Sequence, residues 1–163
     1  MSTRTSTAAV VRAGEGRAVA WGHAGTIRIL GDAESTEGTF SIVEATEEPG
    51  SAAPLHVHHG EAEIFYIVEG ALELTCGEQT VAAGAGDLVY TPKDVPHKYT
   101  VVGDRPARVL LIFSRPGFEE FFAEAGTPVD GPHAGPPDRE VLRRLVEKYD
   151  MELLEAPGTE EAA

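Results

Sequence analysis

Residues 50–70 read GSAAPLHVHHGEAEIFYIVEG, and this stretch contains two histidines one residue apart, His56 and His58. Side chains repeat their direction every two residues along a strand, so these two imidazoles project from the same face. Glu63 has the opposite parity, but a glycine-containing turn at residues 59–62 would bring the chain back and set its carboxylate opposite the imidazoles. Imidazole nitrogens and a carboxylate oxygen together suit a first-row transition metal. The stretch therefore predicts a metal site.

Two other side chains in the same stretch compete as metal ligands. His59 has the opposite parity to the histidines on either side of Val57 and should point away from their site. Glu61 lies in the predicted turn, whereas Glu63 opens the next strand, so we favour Glu63 as the carboxylate ligand. Two further histidines lie in predicted loops without partners and are expected at the surface: His23 and His133.

The chain around this stretch is predicted to consist of short strands. Eighteen glycines and eleven prolines among 163 residues indicate many turns. Apolar alternation bounded by turn residues predicts strands at 26–30, 39–45, 64–68, 71–76, 87–91, 98–102 and 107–113. Strands spaced this regularly favour a sandwich or a barrel. Helical patterns do not separate them, which argues against βαβ units.

Two helices are predicted after the strands. The first helix has apolar side chains at i, i+3, i+4 and i+7: Phe118, Phe121, Phe122 and Ala125. These side chains could line a ligand entrance, but we expect them to pack on the core. Asp138 is a plausible N-cap for the second helix, whose apolar face comprises Val141, Leu142, Leu145, Val146 and Tyr149. We divide the chain into a flexible N-terminal arm (1–17), a barrel (18–115), a C-terminal helical extension (116–155) and an acidic tail (156–163).

Charge and cysteine content restrict the partners and the compartment. The net charge is −14, from 13 basic and 27 acidic residues, which argues against nucleic acid or an anionic membrane as a partner. Cys76 is the only cysteine, so no intrachain disulfide can form and a cytoplasmic location is expected. The first 19 residues lack the apolar run of a signal peptide, and no stretch approaches the roughly 20 apolar residues of a membrane span.

A second motif supplies a fourth candidate ligand. The segment PKDVPH (92–97) introduces His97 through a proline turn. The first motif of the cupin superfamily is similar to this sequence at every defining position: Gly50, His56, His58, Glu63 and Gly70. The segment from Gly86 through Pro92 to His97 resembles the second cupin motif, with Asp94 where the family usually has glycine and Val101 where it often has asparagine. Aspartate tolerates the left-handed conformation, so we expect the turn to persist.

The resemblance implies a mainly β fold, a single antiparallel jelly-roll barrel followed by two α-helices. It implies one divalent transition metal in the mouth of the barrel, bound by His56, His58, Glu63 and His97. The metal itself is not readable from these ligands, which suit Fe, Ni, Mn, Co, Cu or Zn. Trp21 and the segments 36–41 and 108–122 further resemble bacterial monocupins described as quercetinase-like flavonol dioxygenases.

Four ligands on an octahedral ion leave two positions open, for a bidentate substrate or for substrate and dioxygen together. We therefore expect a dioxygenase acting on a planar enolic or phenolic molecule, with Glu63 as the general base. One alternative is a metal-dependent cyclase or isomerase that needs no oxygen. Another is a non-catalytic small-molecule-binding cupin. Chemistry on oxalate would require a cationic side chain in the pocket. The sequence does not determine whether Arg28 and Arg108 point into the barrel or out of it.

The sequence also suggests which side chains surround the metal, and the resemblance suggests an oligomeric state. Four aromatic residues are candidates for the barrel interior around the ion: Phe40, Phe65, Tyr90 and Tyr99. The resemblance also implies a homodimer, formed through barrel edges or C-terminal helices. An exposed barrel edge would give a physical motive for such pairing.

Overall fold

A computed structural model describes residues 8–22, 25–130 and 138–155. Within these ranges the strands are β1 (Arg17–Trp21), β2 (Gly25–Gly31), β3 (Ser41–Glu47), β4 (Ala52–His58), β5 (Glu63–Glu69), β6 (Ala71–Cys76), β7 (Gln79–Gly84), β8 (Leu88–Thr91), β9 (His97–Val101), β10 (Ala107–Phe113), β11 (Thr127–Pro128) and β12 (Met151–Leu153). The helices are α1 (Glu119–Ala125) and α2 (Arg139–Lys148). His23, His133, part of the predicted arm and the whole acidic tail lie outside the described residues.

The strands form two antiparallel sheets, as a jelly roll requires. One sheet has the order β11-β1-β2-β3-β10-β5-β8 and the other has the order β12-β4-β9-β6-β7. Burial alternates residue by residue along β2, β3 and β10, because one face of each strand points to the core and the other to solvent. The predicted mainly β fold with two C-terminal helices is confirmed.

The core lies between the two sheets. Phe65 on β5 and Tyr99 on β9 meet across it, with ring centroids 5.6 Å apart. Phe65, Ile67, Leu74 and Phe113 are all fully buried. Burial of one such side chain stabilises a fold by roughly 1.5–3 kcal/mol. This layer of packed side chains holds the two sheets, and the residues at their ends, at fixed separation.

The C-terminal segment closes one end of the barrel. The aromatic stripe of the first helix is buried as expected, and Trp21 on β1 packs edge-on against Phe122 at 5.2 Å. The Asp138 side chain caps α2 by accepting hydrogen bonds from the backbone N–H groups of Glu140 and Val141. Four strands were not among the predicted ones: β1, β7, β11 and β12. The last two contain only two or three residues, which carry no periodic pattern. Through β12 the C-terminal segment pairs with β4, the strand that carries two of the candidate ligands.

Left-handed backbone at two motif positions shapes the turns near the candidate site. Gly70 has φ +76°, and a Cβ there would lie 2.6 Å from the Pro106 carbonyl oxygen, so only glycine fits. Asp94 has φ 64°, so the turn persists with aspartate in the glycine position. In the described ranges, neither helix has the length and apolar character needed to cross a membrane.

Candidate functional site

Neighbouring strands of the smaller sheet carry three histidines. His56 and His58 lie at the end of β4, and His97 opens β9. The Cα atoms of His56 and His97 pair across the two strands, and their ring centroids are 4.3 Å apart. The rings of His56 and His58 are 5.0 Å apart. The two-residue period of a strand therefore places both β4 imidazoles beside His97.

Glu63 reaches the same place from the opposite sheet. It opens β5, after the turn at 59–62 has returned the chain, and the Thr91 hydroxyl donates a hydrogen bond to its carbonyl oxygen over 2.9 Å. Its Oε2 lies 3.1 Å from Nε2 of His97 and 3.5 Å from Nε2 of His58. The change of strand explains why a residue of the wrong parity faces the imidazoles.

The four side chains form a tight group of donors, which we call the four-residue centre: His56, His58, Glu63 and His97. One potential ligand atom from each lies within 4.8 Å of the others. None of the four residues is more than 8% exposed. Three imidazoles and one carboxylate at this spacing could hold a transition-metal ion.

Backbone carbonyls orient two of the three imidazoles. Nδ1 of His56 donates to the Pro54 carbonyl over 2.7 Å, and Nδ1 of His97 donates to the Val95 carbonyl over 3.0 Å. A carbonyl only accepts, so both rings carry their proton on Nδ1. Nε2 of His56 is then left with a lone pair, which is the form in which imidazole binds metals. Nε2 of His97 lies 3.1 Å from Glu63 Oε2, and both atoms face the same point, where a metal ion could replace their contact.

A buried carboxylate orients the third imidazole. Glu61, which we excluded as a ligand, accepts a hydrogen bond from His58 Nδ1 at 2.9 Å and another from Arg115 Nε at 3.0 Å. Its side chain is 2% exposed. Gly60 permits this approach, since a Cβ there would lie 1.8 Å from Arg115 Nη2. Sequence reasoning missed this role, although a second acidic residue three positions after a ligand histidine was the available signal.

Burial and hydrogen bonds set the protonation states in the centre. Burial opposes protonation of His58, but hydrogen bonds to Glu61 and Glu63 outweigh it and raise the pKa of His58 to about 9. Burial also opposes ionisation of Glu63, yet hydrogen bonds with His58 and His97 hold its pKa well below the usual range. Burial, assisted by the neighbouring imidazoles, lowers the pKa of His56 to about 3. Without a metal, the centre therefore combines an ionised Glu63 with a neutral His56 and a protonated His58, and metal binding would release the His58 proton.

His59 points away from the centre, as its parity predicts. Its Nδ1 lies 2.8 Å from Asp94 Oδ1, and its side chain is 38% exposed. This contact joins the end of β4 to the turn that precedes His97. His59 thus lies beside the centre in sequence and outside it in space.

The aromatic candidates for the barrel interior divide into two pairs. Phe65 and Tyr99 are buried in the core, whereas Phe40 and Tyr90 are exposed, so the expectation was wrong for the second pair. Tyr90 faces outward because its neighbours on β8, Val89 and Thr91, face inward.

The two arginines considered for oxalate-type chemistry also face outward. Arg108 pairs with Glu44 at 3.3 Å and Glu69 at 2.7 Å on the outer face of the larger sheet. Arg28 donates to the Gly14 carbonyl over 2.9 Å. Neither supplies a cationic group to the four-residue centre.

The first helical segment covers one side of the centre. The Phe118 ring packs edge-on against His58, with centroids 4.4 Å apart, and the Phe113 ring lies 6.0 Å from the same imidazole. The aromatic stripe is therefore core, and its first member also shields a candidate ligand from water.

A cleft of about 560 Å³ opens between β7 and β8. The turn at 84–87 joins these two strands. Leu74, Cys76 and Val95 are among its lining residues, whereas the members of the four-residue centre are not. Cys76 is paired with His97 in the register of β6 and β9, so one lining residue is the strand neighbour of a candidate ligand.

Known proteins share this architecture. Residues 43–113 match the cupin domain family. Over 133 residues the chain is 27% identical to quercetin 2,3-dioxygenase of Bacillus subtilis, a match that covers 78% of this chain and 39% of that protein. The structure of oxalate decarboxylase from Lactobacillus farciminis aligns with a TM-score of 0.52 and 26% identity, covering 57% of this chain and 29% of the other. KdgF from Halomonas sp. aligns with a TM-score of 0.53 and 19% identity over 59% and 84% of the two chains, a likeness of fold alone.

Proposed function

This protein contains a cupin domain, and on that premise we propose that it is a metal-dependent dioxygenase of the quercetinase-like type. Its substrate is a planar enolic or phenolic small molecule, such as a flavonol, and its second substrate is dioxygen. The chain spans 39% of the length of the quercetin dioxygenase that it resembles. We propose that the barrel and its helical extension carry the activity.

The observation that carries the proposal is the four-residue centre. His56, His58, Glu63 and His97 offer three imidazole nitrogens and one carboxylate oxygen within 4.8 Å. This donor set suits Fe, Ni, Mn, Co, Cu or Zn and fills four of six octahedral positions. When bound, such an ion acts as a Lewis acid toward a phenolic or enolic oxygen and leaves room for a second oxygen donor.

The chain's own residues position the substrate and accept its proton. The low pKa of Glu63 comes from its hydrogen bonds with His58 and His97. With those imidazoles turned to a metal, its ionised Oε2 could accept the hydroxyl proton of a substrate oxygen within hydrogen-bond reach. Phe118 excludes water on the His58 side. Phe65 and Tyr99 supply flat inner walls beside His97, which suits a planar ring system.

The cleft between β7 and β8 supports the approach of such a molecule. Its volume of about 560 Å³ lies within the range of about 300–1,000 Å³ usual for small-molecule pockets. Its lining combines apolar side chains, among them Leu74, Val81 and Val95, with polar groups that include Gln79 and Asp87. Cys76, which lines the cleft, is the register partner of His97, and we propose that the substrate reaches the centre past this residue.

Turnover under controlled oxygen tests the proposal and separates it from its rivals. The protein is reconstituted with each candidate metal in turn and mixed with flavonols in an oxygen electrode. We expect oxygen uptake equal to flavonol loss, and its abolition by Glu63→Gln. Equal turnover without oxygen would establish a cyclase or isomerase instead. Failure to retain metal after reconstitution would indicate a non-catalytic binding cupin.

The proposal extends to the assembly and the compartment. We place the enzyme in the cytoplasm, in keeping with its single cysteine. We also propose that it is a homodimer, because the larger sheet exposes apolar side chains at its outer face.

A further inference from the structure

The last described strand lies against the strand that carries two members of the four-residue centre. In the register of β12 and β4, Leu153 is the Cα partner of His56, and Met151 is the Cα partner of His58. Residues directly opposite each other on antiparallel strands point to the same face of the sheet, with Cβ atoms about 4.5–5.5 Å apart. Leu153 and Met151 therefore border the two imidazoles on the face that points toward Glu63.

The burial of β12 agrees with this orientation. Met151 is 9% exposed and belongs to the hydrophobic core, and Leu153 is partly buried against that core. The residues that alternate with them are exposed: Glu152, and Leu154 at 46%. Two neighbouring leucines thus point in opposite directions, Leu153 toward the core and Leu154 toward solvent.

Hydrogen bonds hold β12 in place at both ends. Before the strand, the backbone N–H of His59 donates to the Asp150 carbonyl over 2.9 Å, and after it the N–H of Leu154 donates to the Leu55 carbonyl over 2.8 Å. The Glu155 carboxylate accepts a further hydrogen bond from the Leu55 N–H over 3.3 Å. The strand is therefore a fixed part of the barrel wall.

Leu153 lies at one end of a row of side chains that runs through the centre. Consecutive Cα partners across the smaller sheet form this row: Leu153, His56, His97 and Cys76. Because neighbouring strands are about 4.8 Å apart, the row is about 14 Å long. Cys76 lines the cleft, and the two ligand histidines occupy the middle of the row. A molecule that enters past Cys76 and reaches an ion held by these histidines meets Leu153 at the far end.

We propose that β12 forms the far wall of the substrate site and that Leu153 limits the length of the planar molecule that the centre accepts. Met151 continues this wall beside His58, where the Phe118 ring packs on the imidazole. The inference rests on the proposed function for the class of the substrate, a planar phenol or enol. It adds the side chains that select among such molecules. An apolar wall discriminates by size, and one methylene group too many costs about 10–200-fold in specificity.

Binding of two probes of different length to the Co²⁺-loaded protein under argon tests the inference. 4-Nitrocatechol is the short probe and 3-hydroxyflavone the long one, and the absorption change of each on binding gives its dissociation constant. We expect Leu153→Trp to raise the dissociation constant of 3-hydroxyflavone at least about tenfold and that of 4-nitrocatechol less than about threefold, because the larger side chain shortens the row. Leu154→Trp is the matched control and should leave both constants unchanged.

Leu153→Ala provides a second variant that acts in the opposite direction. It should admit a longer flavonol, with a naphthyl ring in place of the phenyl ring, and raise the affinity for this molecule relative to 3-hydroxyflavone at least about fivefold. Leu154→Ala should not change this ratio. Circular dichroism and elemental analysis establish the fold and the cobalt content of every variant, and the alanine pair decides if Leu153→Trp does not retain cobalt.

Equal effects of Leu153→Trp on the two probes, or the same size preference in the Leu154 variants, would overturn the inference. A wild type that binds neither probe would overturn it as well. Oxygen uptake with 3-hydroxyflavone is measured separately on the same proteins. Size selection that follows Leu153 without oxygen uptake would support the wall and refute the dioxygenase.

Discussion

Glu61 contacts the ring nitrogen of His58 that faces away from the four-residue centre. Its Oε1 lies 2.9 Å from His58 Nδ1, and both side chains are 2% exposed. Arg115 holds the other carboxylate oxygen at 3.0 Å. The imidazole is thereby fixed in orientation and in tautomer, since an ionised carboxylate only accepts hydrogen bonds. A carboxylate behind a ligand histidine also raises the basicity of the nitrogen that faces the metal.

Removal of this carboxylate should weaken metal binding. We expect Glu61→Ala to lower the affinity of the apoprotein for Co²⁺ by about 10–100-fold, and Glu61→Gln to lower it less, because an amide oxygen can still accept from Nδ1. A chelator-competition titration followed by the visible Co²⁺ spectrum measures both. Unchanged affinity in the alanine variant would contradict the positioning role.

Gly60→Ala provides the matched control for that measurement. Its Cβ would displace Arg115, whose Nη2 would lie 1.8 Å away, while leaving the contact between Glu61 and His58 in place. A smaller loss of Co²⁺ affinity is expected, and Arg115→Ala should reproduce it.

The single thiol offers a probe of the cleft. Cys76 lines the cleft and is the register partner of His97, and burial raises the pKa of its thiol. Its reaction with N-ethylmaleimide should therefore be slow at neutral pH and faster at higher pH. Modification should lower kcat/KM for the flavonol, and bound flavonol should slow the modification.

The same treatment of Cys76→Ala is the reference, since its activity should not change on addition of the reagent. Equal rates of thiol modification with and without saturating flavonol would argue against the cleft as the route of the substrate.

Phe118 should protect the centre as well as stabilise the core. Replacement of a buried phenylalanine by alanine costs roughly 3–5 kcal/mol of unfolding free energy, so Phe118→Ala and Phe121→Ala should destabilise the fold alike. Both are 4% exposed. Of these two rings, Phe118 is the one that packs on His58, so its loss should speed dissociation of the metal and the loss of Phe121 should not. Urea unfolding and a metal-exchange assay measure the two effects, and equal exchange rates would contradict the shielding role.

Glu47 should make the stability of the barrel depend on pH. Burial raises its pKa to about 7, against the opposing hydrogen bond from the Tyr99 hydroxyl. The Glu47 carboxyl binds its proton more tightly in the folded state than in the unfolded state. The free energy of unfolding is therefore highest below pH 4.5 and falls as the pH rises to about 7. The loss amounts to about 3 kcal/mol. Glu47→Gln should remove it.

Urea unfolding of the wild type and Glu47→Gln from pH 5 to pH 8 measures this difference. We expect the advantage of the variant to grow with pH and to level off above pH 7. A difference that is constant across the series would show that Glu47 is not protonated in the folded protein.

Much of the fold and of the centre follows from local sequence rules. The two-residue period of β4 sets His56 and His58 on one face, and the turn after them explains Glu63. The capping role of Asp138 follows from its place before an amphipathic stretch. These features depend on a few neighbouring residues, so a single sequence contains them.

Other features depend on contacts between distant residues. Glu61 and Arg115 are 54 positions apart, and only the folded chain brings them together. The outward position of Tyr90 depends on the register of β8, which a four-residue strand does not reveal. The short strand β12 forms because β4 offers it an edge, a tertiary cause that local propensity does not record.

The metal content of two variants at adjacent residues shows whether the four-residue centre binds a metal ion. His58 belongs to the four-residue centre, whereas His59 binds Asp94 outside it. After reconstitution and removal of loose metal, elemental analysis should find one ion per chain in the wild type and in His59→Ala, and almost none in His58→Ala. A wild type without metal, or two variants that lose it equally, would show that the four-residue centre is not a metal site.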